Sequence, residues 1–301
     1  MNETTANLLS INGVTEFYKI QDLDILRVNH PLGTAVISLY GAQVLSFIPI
    51  NHPADLLWMS EGSAMETGKP IRGGIPVCFP WFGPHASDHQ LPQHGFARLM
   101  IWDLMHIHHQ PETFTEITFQ LTSNPETQHY WPYAFSATIK IRVGATLELS
   151  LTTTNTGDKE FVLTDALHTY LKVTNCSTAQ LQGMQQISFL AAGSNEVQTD
   201  TDDRVRFGKG EINRRYFVRD TQAYLEDTET GRIICIDKKG SGVTVVWNPG
   251  PAIAATIKDI PEGGYTGFIC VEAANACKGV DEIVVNPGES HTLSTTISLI
   301  S

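Results

Sequence analysis

The sequence predicts an all-β protein built as a large sandwich of two packed antiparallel sheets. Apolar and polar residues alternate with a period of two in residues 117–121 and 139–143, as in half-buried strands. The 24 glycines and 15 prolines lie mostly between such runs, where they mark turns. No stretch offers a convincing long amphipathic helix. These three observations favour strands joined by turns over a helical architecture.

The individual strands follow from the alternation along the chain. Residues 147–151 alternate like residues 139–143 and are separated from them by Gly144-Ala145-Thr146, which predicts a hairpin. Further β-type runs occupy residues 161–173, 233–236, 243–247, 267–272 and 291–299. The runs continue past the midpoint without a change in composition, a low-complexity linker or a repeat period. We therefore expect residues 1–301 to form one domain.

Charge and composition exclude several classes of protein. The 301 residues include 20 Lys and Arg against 32 Asp and Glu, a formal net charge of −12, which argues against a nonspecific nucleic-acid binder or a basic membrane-surface protein. No apolar run of about 18 residues occurs, as a membrane span would require. The N-terminal residues lack the pattern of a signal peptide, so a cytoplasmic location is expected. The five cysteines form no CxxC pair, and we expect them to be reduced.

The least ordinary segment is residues 69–83, which combine glycines, prolines, aromatic residues and Arg72. One interpretation is an aromatic loop packed by its own side chains. The other is a binding wall, in which Gly73-Gly74 let the backbone approach a ligand and Arg72 supplies a planar set of donors. In that wall Trp81 and Phe82 offer apolar faces that suit a sugar.

A second polar segment follows in residues 91–98, which contain Gln93, His94 and Arg98. Two separated arginines in an acidic protein suggest a local anion site, although a single Arg is more often a solvated or ion-paired surface group. His94 has either a packing role or a ligand-contact role.

Two ionisable residues interrupt otherwise apolar β-type runs. The alternation places His168 on the same face as Tyr170, and it places Glu272 beside Cys270. Taken alone, each residue favours a structural role: His168 as a hydrogen-bonded His within a strand, and Glu272 as a Glu at the end of a strand. A Glu in so apolar a run is nevertheless costly to bury without partners, which makes it a candidate functional group.

A metal site is not expected. His106, His108 and Glu112 resemble part of a cupin motif, but the glycines that would frame that motif are replaced by Met100 and Phe119. Exposed polar residues at a strand end are the favoured interpretation.

Six segments together resemble the glucose-6-phosphate 1-epimerases, the hexose-6-phosphate mutarotases of the aldose 1-epimerase superfamily. In order they are residues 72–83 (RGGIPVCFPWFG), 93–98 (QHGFAR), 165–168 (DALH), 201–205 (TDDRV), 246–249 (VWNP) and 270–272 (CVE). The resemblance runs from about residue 20 to the C-terminus. It implies a galactose-mutarotase-like sandwich that needs no cofactor and has an open cleft across one sheet.

The resemblance also implies the site residues and the substrate. It makes His168 and Glu272 the catalytic pair, and it makes four residues contacts of a sugar phosphate: Arg72, Gln93, Arg98 and Asp203. Because Asp202 adjoins Asp203, either aspartate can be the one that faces the cleft. A mutarotase of unphosphorylated aldoses and a non-catalytic carbohydrate-binding protein are the alternatives, and a monomer is favoured.

The reaction itself requires one base and one acid. Anomers interconvert when a base removes the proton of the C1 hydroxyl and an acid protonates the ring oxygen O5, and reclosure reverses both transfers. A Glu with an ordinary pKa of about 4.3 is ionised at neutral pH, whereas a His near 6.5 is mostly neutral. His168 must therefore be kept protonated by a neighbouring carboxylate, or the protonation pattern differs from this assignment.

Overall fold

A computed structural model describes residues 9–277 and 279–300. In the first half of the chain the strands are β1 (Thr15–Ile20), β2 (Leu23–His30), β3 (Gly33–Ser38), β4 (Gln43–Pro49), β5 (Val77–Cys78), β6 (Asp103–Gln110), β7 (Phe114–Thr122), β8 (Phe135–Gly144), β9 (Leu147–Asn155), β10 (Phe161–Leu163), β11 (Asp165–Leu167) and β12 (Tyr170–Lys172). In the second half they are β13 (Gln180–Gln182), β14 (Ser188–Ala191), β15 (Val197–Thr199), β16 (Val205–Arg206), β17 (Ile212–Tyr216), β18 (Gln222–Asp227), β19 (Arg232–Lys239), β20 (Val243–Asn248), β21 (Phe268–Asn275), β22 (Ile283–Val285) and β23 (Ser290–Leu299). The α-helices are α1 (Pro125–Tyr130) and α2 (Gly250–Ala254), and 3₁₀ turns cover Ala97–Leu99 and Gly264–Gly267.

Two large sheets dominate the structure, which confirms the predicted all-β class. The nine-stranded sheet has the order β16-β13-β18-β19-β23-β9-β8-β7-β6, and its named strands pair in antiparallel fashion. The eight-stranded sheet has the order β15-β14-β17-β20-β21-β11-β5, and β12 also pairs with β21. The predicted hairpin is present, since β8 and β9 pair directly around the turn after Gly144.

The structure contains further strands that the sequence patterns did not predict. Strands β1–β4 form a separate four-stranded sheet, and β22 pairs in a two-stranded sheet with β10, which lies within the predicted run of residues 161–173. Strands β13–β18 extend the edges of both large sheets. Strands β13–β16 have only two to four residues, too few to show a period of two. Strands β3 and β18 bury alternate residues and were nevertheless not predicted.

The main core lies between the two large sheets. Ile269, Val271 and Ala273 of β21 point into it, where they join Leu149 of β9 and Leu293 of β23 in one cluster of buried residues. The period of two in a strand sends alternate residues of β21 to the opposite face. The eight-stranded sheet therefore has an inner face that packs in the main core and an outer face that lies outside this core.

The helices contribute little to the structure. Among the fully described elements, the α-helices have six and five residues. Within residues 9–277 and 279–300, no helix has both the length and the apolar character that a membrane span requires.

Candidate active site

His168 lies at a break in the strand that the sequence predicts over residues 161–173. β11 ends at Leu167 and β12 begins at Tyr170. The segment around residues 72–83 holds the break in place, because the N–H of His168 donates to the carbonyl of Pro76 at 3.0 Å and that of Tyr170 donates to Gly74 at 2.9 Å. The break presents the imidazole on the outer face of the eight-stranded sheet.

His168 and Glu272 are in direct contact on this outer face. The Nδ1 atom of His168 lies 3.4 Å from Oε1 of Glu272, and the side chains are 9% and 1% exposed. The imidazole stacks on Tyr170 with ring centroids 4.7 Å apart and planes 8° apart, as the shared face predicted. Trp247 meets the imidazole edge-on at 6.0 Å. The two predicted catalytic residues are thus brought together in an aromatic setting.

The pair has unmet hydrogen-bonding capacity. Neither Nδ1 of His168 nor Oε2 of Glu272 has a hydrogen-bond partner, although both atoms are buried. Buried polar atoms are normally satisfied, so such exceptions point to a site that interacts with something else. The contact between the two side chains leaves Nε2 of His168 as the ring nitrogen available to a ligand.

Burial drives both members of the pair toward their neutral forms. It lowers the pKa of His168 well below its ordinary value, and the nearby His94, Arg72 and Arg98 lower it further when they are charged. Burial raises the pKa of Glu272 well above its ordinary value, and the positive charge of Arg215 opposes this rise. A protonated Glu with a neutral His, and a carboxylate with an imidazolium, contain the same number of protons. The pair can therefore exchange these forms without a change in net charge.

Arg72 is fixed by two neighbours. Its Nε lies 3.1 Å from both carboxylate oxygens of Asp259, and its Nη1 donates to the hydroxyl of Tyr170 at 3.1 Å. Asp259 neutralises part of the charge that the sequence assigns to an anion site. Since Tyr170 also stacks on His168, these bonds place Arg72 beside the predicted catalytic pair.

The glycines after Arg72 have a role that the sequence did not predict. Gly73 and Gly74 have φ angles of +110° and +62°, which favour glycine. A Cβ atom at either position would collide with the carbonyl oxygen of Trp58 or Val44. These two glycines therefore allow a close approach to the protein's own backbone, and the predicted approach to a ligand stays a prediction.

Arg98 lies within the short 3₁₀ turn Ala97–Leu99 and forms no ion pair with residues 9–277 and 279–300. Its Nη2 donates to the carbonyl of Gln93 at 2.6 Å, while its buried Nε has no hydrogen-bond partner. The side chain of Gln93 lies 3.3 Å from that of His94, whose ring is 5.6 Å from the ring of His168. Burial, with Arg98, Arg72 and Arg215, lowers the pKa of His94 to about 3, so this residue is neutral at physiological pH.

The two aromatic residues of the predicted binding wall differ. Trp81 is 8% exposed, belongs to the main core and donates from Nε1 to the carbonyl of Pro92 at 2.9 Å. Phe82 is half-buried and meets the ring of His94 at 4.7 Å. Trp81 thus supports the self-packed interpretation, whereas Phe82 lies beside the candidate site.

Asp203 contacts residues of its own segment and none of the other predicted site residues. Its carboxylate pairs with Arg206 at 3.2 Å and with Arg204 at 3.7 Å, and its side chain is 73% exposed. It precedes β16, an edge strand of the nine-stranded sheet. Asp202 lines a cavity of about 270 Å³ in the same region. Five of the six predicted site residues contact one another directly or through a neighbouring side chain. Asp203 is not part of this group.

The structure adds three residues that sequence reasoning missed. Tyr170 and Asp259 hold Arg72, and Arg215 acts on Glu272. Tyr170 was visible from its alternation with His168, but the loop that contains Asp259 has no periodic pattern. Arg215 lies in β17, which the sequence patterns did not predict.

The turn after β20 has a structural role that the sequence left unassigned. The side chain of Asn248 donates to the carbonyls of Tyr265 and Phe268, each at 2.8 Å, and accepts from the N–H of Gly250 at 3.0 Å. These bonds tie the end of β20 to the start of β21, and so they fix Trp247 and Glu272 relative to each other.

His168, Cys270 and Glu272 have potential ligand atoms within 4.8 Å of one another. Burial raises the pKa of both Cys270 and Glu272 well above their ordinary values, which favours protonated forms that bind metals poorly. The guanidinium groups nearby would also repel a cation. His106 and His108 lie exposed on edge strand β6, with ring centroids 6.3 Å apart. Neither group fits a divalent ion well.

A two-sheet β-sandwich with a buried His–Glu contact on the outer face of one sheet is the structure on which the chain can be compared with known proteins. The chain belongs to the aldose 1-epimerase family, whose profile matches residues 24–298. A protein of Escherichia coli K12, provisionally named glucose-6-phosphate 1-epimerase, is 35% identical over 266 residues, which are 88% of each chain. A similarly named protein of Salmonella typhimurium is 33% identical and covers 86% of this chain and 85% of its own.

Solved structures agree with this assignment. A Salmonella typhimurium structure, provisionally described as a mutarotase, has a TM-score of 0.89 at 30% identity over 99% of both chains. A galactose 1-epimerase from Lactobacillus acidophilus has a TM-score of 0.71 over 95% of this chain and 98% of its own. At 14% identity the second likeness shows the fold alone.

Proposed function

We propose that this protein interconverts the α and β anomers of a hexose 6-phosphate, with glucose 6-phosphate as the first substrate to test. The observation that carries the proposal is the 3.4 Å contact between His168 and Glu272, surrounded by Arg72 and Arg98. The names of the Escherichia coli and Salmonella typhimurium relatives support the same substrate class.

The proposed reaction moves two protons in each direction. Glu272 as a carboxylate removes the proton of the C1 hydroxyl while His168 as an imidazolium protonates O5, and the C1–O5 bond breaks to give the open-chain aldehyde. Rotation about C1–C2 presents the other face of the carbonyl. On reclosure, His168 removes the proton of the O5 hydroxyl and Glu272 returns a proton to O1. General acid–base assistance of this kind contributes about 10²–10⁴-fold.

Both protonation forms of the pair take part in this cycle. The ion pair opens the ring and the neutral pair closes it, so every step returns the form that the next step needs. Burial favours the neutral pair, whereas the direct contact and the nearby positive charge favour the carboxylate. The cycle is efficient when the ion pair and the neutral pair have comparable free energies. The opposing effects of burial and of nearby charge bring the two free energies closer together.

Arg98 is the better supported of the two proposed phosphate ligands. Its buried Nε is unpaired and its recorded partner is a neutral carbonyl, so an anion would satisfy it. A protein with a net charge of −12 needs such local donors, because bulk repulsion is screened over about 8 Å at physiological salt. Arg72 can contribute through the donors that Asp259 and Tyr170 leave free.

A mutarotase of free aldoses is the second candidate. The ion pair of Arg72 with Asp259 favours it, since a neutralised guanidinium is suited to sugar hydroxyls as well as to phosphate. A non-catalytic carbohydrate-binding protein is the third alternative. It gives no reason for a buried carboxylic acid beside an imidazole, which is costly to maintain.

NMR exchange spectroscopy of the anomeric protons tests the three candidates together. Enzyme-dependent exchange on glucose 6-phosphate that clearly exceeds exchange on glucose and galactose is the expected result. Equal or faster exchange on the free sugars would favour the second candidate. No exchange on any aldose, with binding retained, would favour the third.

We further propose Gln93 and Asp203 as substrate contacts, of which Gln93 has the structural support of its neighbours Arg98 and His94. The main core contains residues from Leu26 to Ile297, which supports a single domain over residues 1–301. A monomer in the cytoplasm is the proposed working form.

A further inference from the structure

Arg215 lies in a row of side chains that leads to Glu272. In the register of the eight-stranded sheet, Arg215 of β17 is directly opposite Val245 of β20, and Val245 is directly opposite Glu272 of β21. Residues directly opposite each other point to the same face of a sheet. At about 4.8 Å between strands, the backbones of Arg215 and Glu272 are separated by about 10 Å. The long Arg side chain can shorten this distance.

The positive charge of Arg215 lacks a nearby acidic partner. Among the ion pairs of residues 9–277 and 279–300, none involves Arg215, and its buried Nε has no hydrogen-bond partner. Its guanidinium carbon lies 6.0 Å from the ring of Phe82. By contrast, Arg214 points to the other face and donates to Asp200 at 2.8 Å and to Tyr216 at 2.9 Å. Two adjacent arginines thus have opposite environments.

Several other ionisable groups face Glu272 from the packed elements. They are His168 between β11 and β12, Cys270 on β21, Cys78 on β5 and Tyr170 on β12, with His94, Arg72 and Arg98 further out around the imidazole. The thiols and the phenol are neutral at physiological pH because burial raises their pKa values. Arg72 and Arg98 act mainly on His168, where positive charge disfavours the imidazolium.

We propose that Arg215 is a positioning residue whose guanidinium stabilises the carboxylate form of Glu272 across Val245. The proposal rests on the proposed function, because it assigns Glu272 the role of base. Arg215 then differs in purpose from Arg98: one arginine prepares the base and the other binds the phosphate. The proposal also explains why Nε of Arg215 is unpaired. A carboxylate bonded directly to Arg215 would cancel the positive electrostatic potential that its guanidinium produces at Glu272.

The test compares Arg215→Met, which removes the charge, with Arg215→Lys, which retains it. Arg214→Met is the matched control, because it removes the same charge from the same strand on the opposite face. Selective ¹³C labelling of glutamate carboxyls, with assignment by loss of the signal in Glu272→Gln, gives the titration of Glu272 without any turnover. Circular dichroism checks the fold of each variant, and Arg215→Gln is the second neutral variant if the Met variant is unfolded.

The expected result is that the titration of Glu272 moves to higher pH in Arg215→Met and stays near the wild-type position in Arg215→Lys and Arg214→Met. Loss of a positive charge destabilises the carboxylate, so the acidic limb of the kcat/KM profile moves in the same direction. At pH 6 the Met variant should lose about 10-fold in kcat/KM on glucose 6-phosphate, as one charge acting over about 10 Å allows, and should recover as the pH rises.

Three outcomes would overturn the proposal. They are an unchanged titration of Glu272 in Arg215→Met, an equal shift in Arg214→Met, and a loss of kcat/KM that is confined to phosphorylated sugars and independent of pH. The last would make Arg215 a phosphate ligand. Absence of anomer exchange by the wild-type protein would instead contradict the proposed function, and the ¹³C titration would still decide the role of Arg215.

Discussion

The two faces of β21 alternate within one eight-residue strand and differ at Glu272, the one residue of the strand with a carboxyl side chain. The inner residues Ile269, Val271 and Ala273 are fully buried hydrocarbon within the main core. On the outer face Glu272 is equally buried, between the apolar residues Phe268, Cys270 and Ala274, and its Oε2 atom has no hydrogen-bond partner among the described residues. Burial alone therefore does not distinguish a core from a site, whereas unmet polar capacity does.

This difference suggests that stability and activity can be changed separately in one strand. Inner-face residues stabilise the fold through packing. Outer-face residues keep polar groups from water, which costs stability and is tolerated where those groups act on a ligand. Substitutions on the two faces should then have opposite consequences, and four experiments test this.

The largest effect is expected at the catalytic pair. Glu272→Gln and His168→Asn should each reduce anomer exchange by about 10²-fold or more, because each removes one of the two required proton transfers. Thermal unfolding should show stability retained or increased, since a neutral amide replaces a buried ionisable group. Wild-type exchange rates in either variant, with unchanged circular dichroism, would remove that residue from the mechanism.

On the inner face, Ile269→Ala should destabilise the protein by about 2–5 kcal/mol, because it removes buried hydrocarbon and leaves a cavity. The folded fraction should retain its kcat on glucose 6-phosphate. Urea denaturation and exchange rates per folded molecule provide the two measurements. A loss of kcat as large as that of Glu272→Gln would show that the two faces are not independent.

A smaller effect is expected for phosphate recognition. Arg98→Ala should lower kcat/KM on glucose 6-phosphate by about 10- to 100-fold and should affect free glucose much less, since charge-assisted hydrogen bonds contribute about 1.5–3 kcal/mol each. Arg72→Ala should affect both sugars, because Tyr170 and Asp259 lose their partner. Arg142→Ala, on the nine-stranded sheet, is the control for net charge. Equal losses on both sugars in Arg98→Ala would contradict a phosphate role.

The smallest expected effect is that of metal removal. Dialysis against EDTA should leave the exchange rate unchanged, since the proposed reaction moves only protons. Activity that disappears with the chelator and returns with zinc or manganese would require a metal at His168, Cys270 and Glu272, or at the exposed histidines of β6. The metal content of Glu272→Gln, compared with that of the wild-type protein, would identify which group binds the ion.

Much of the fold could be predicted from local pattern. The strong alternation of β7, β8 and β9 corresponds to long strands with one face in the core, and the all-β class followed from it. Strands β13–β16 were missed because two to four residues are too few to show a period of two, whereas β18 was missed although it alternates. The family resemblance, which depended on motifs and not on periodicity, is confirmed by the match over residues 24–298.

The site could be predicted in part. His168 and Glu272 were singled out because ionisable residues interrupted apolar runs, and the structure brings them into contact. The partners Asp259 and Arg215 were missed because they are 187 and 57 residues from the groups they act on: the sheet register brings Arg215 near Glu272, and Asp259 reaches Arg72 from a loop. Long-range register is the information that one sequence without its structure does not provide.

The burial of Glu272 has a consequence for how the reaction responds to its medium. Free sugars mutarotate faster when buffer molecules act as proton donors and acceptors. A carboxyl group that is 1% exposed and in contact with its imidazole partner exchanges protons with the sugar and not with dissolved buffer. The catalysed rate should therefore be independent of buffer concentration at constant pH and ionic strength. The His168–Glu272 pair thus takes the place of the buffer, because the proton that it shares is restored to its starting position at the end of each turnover.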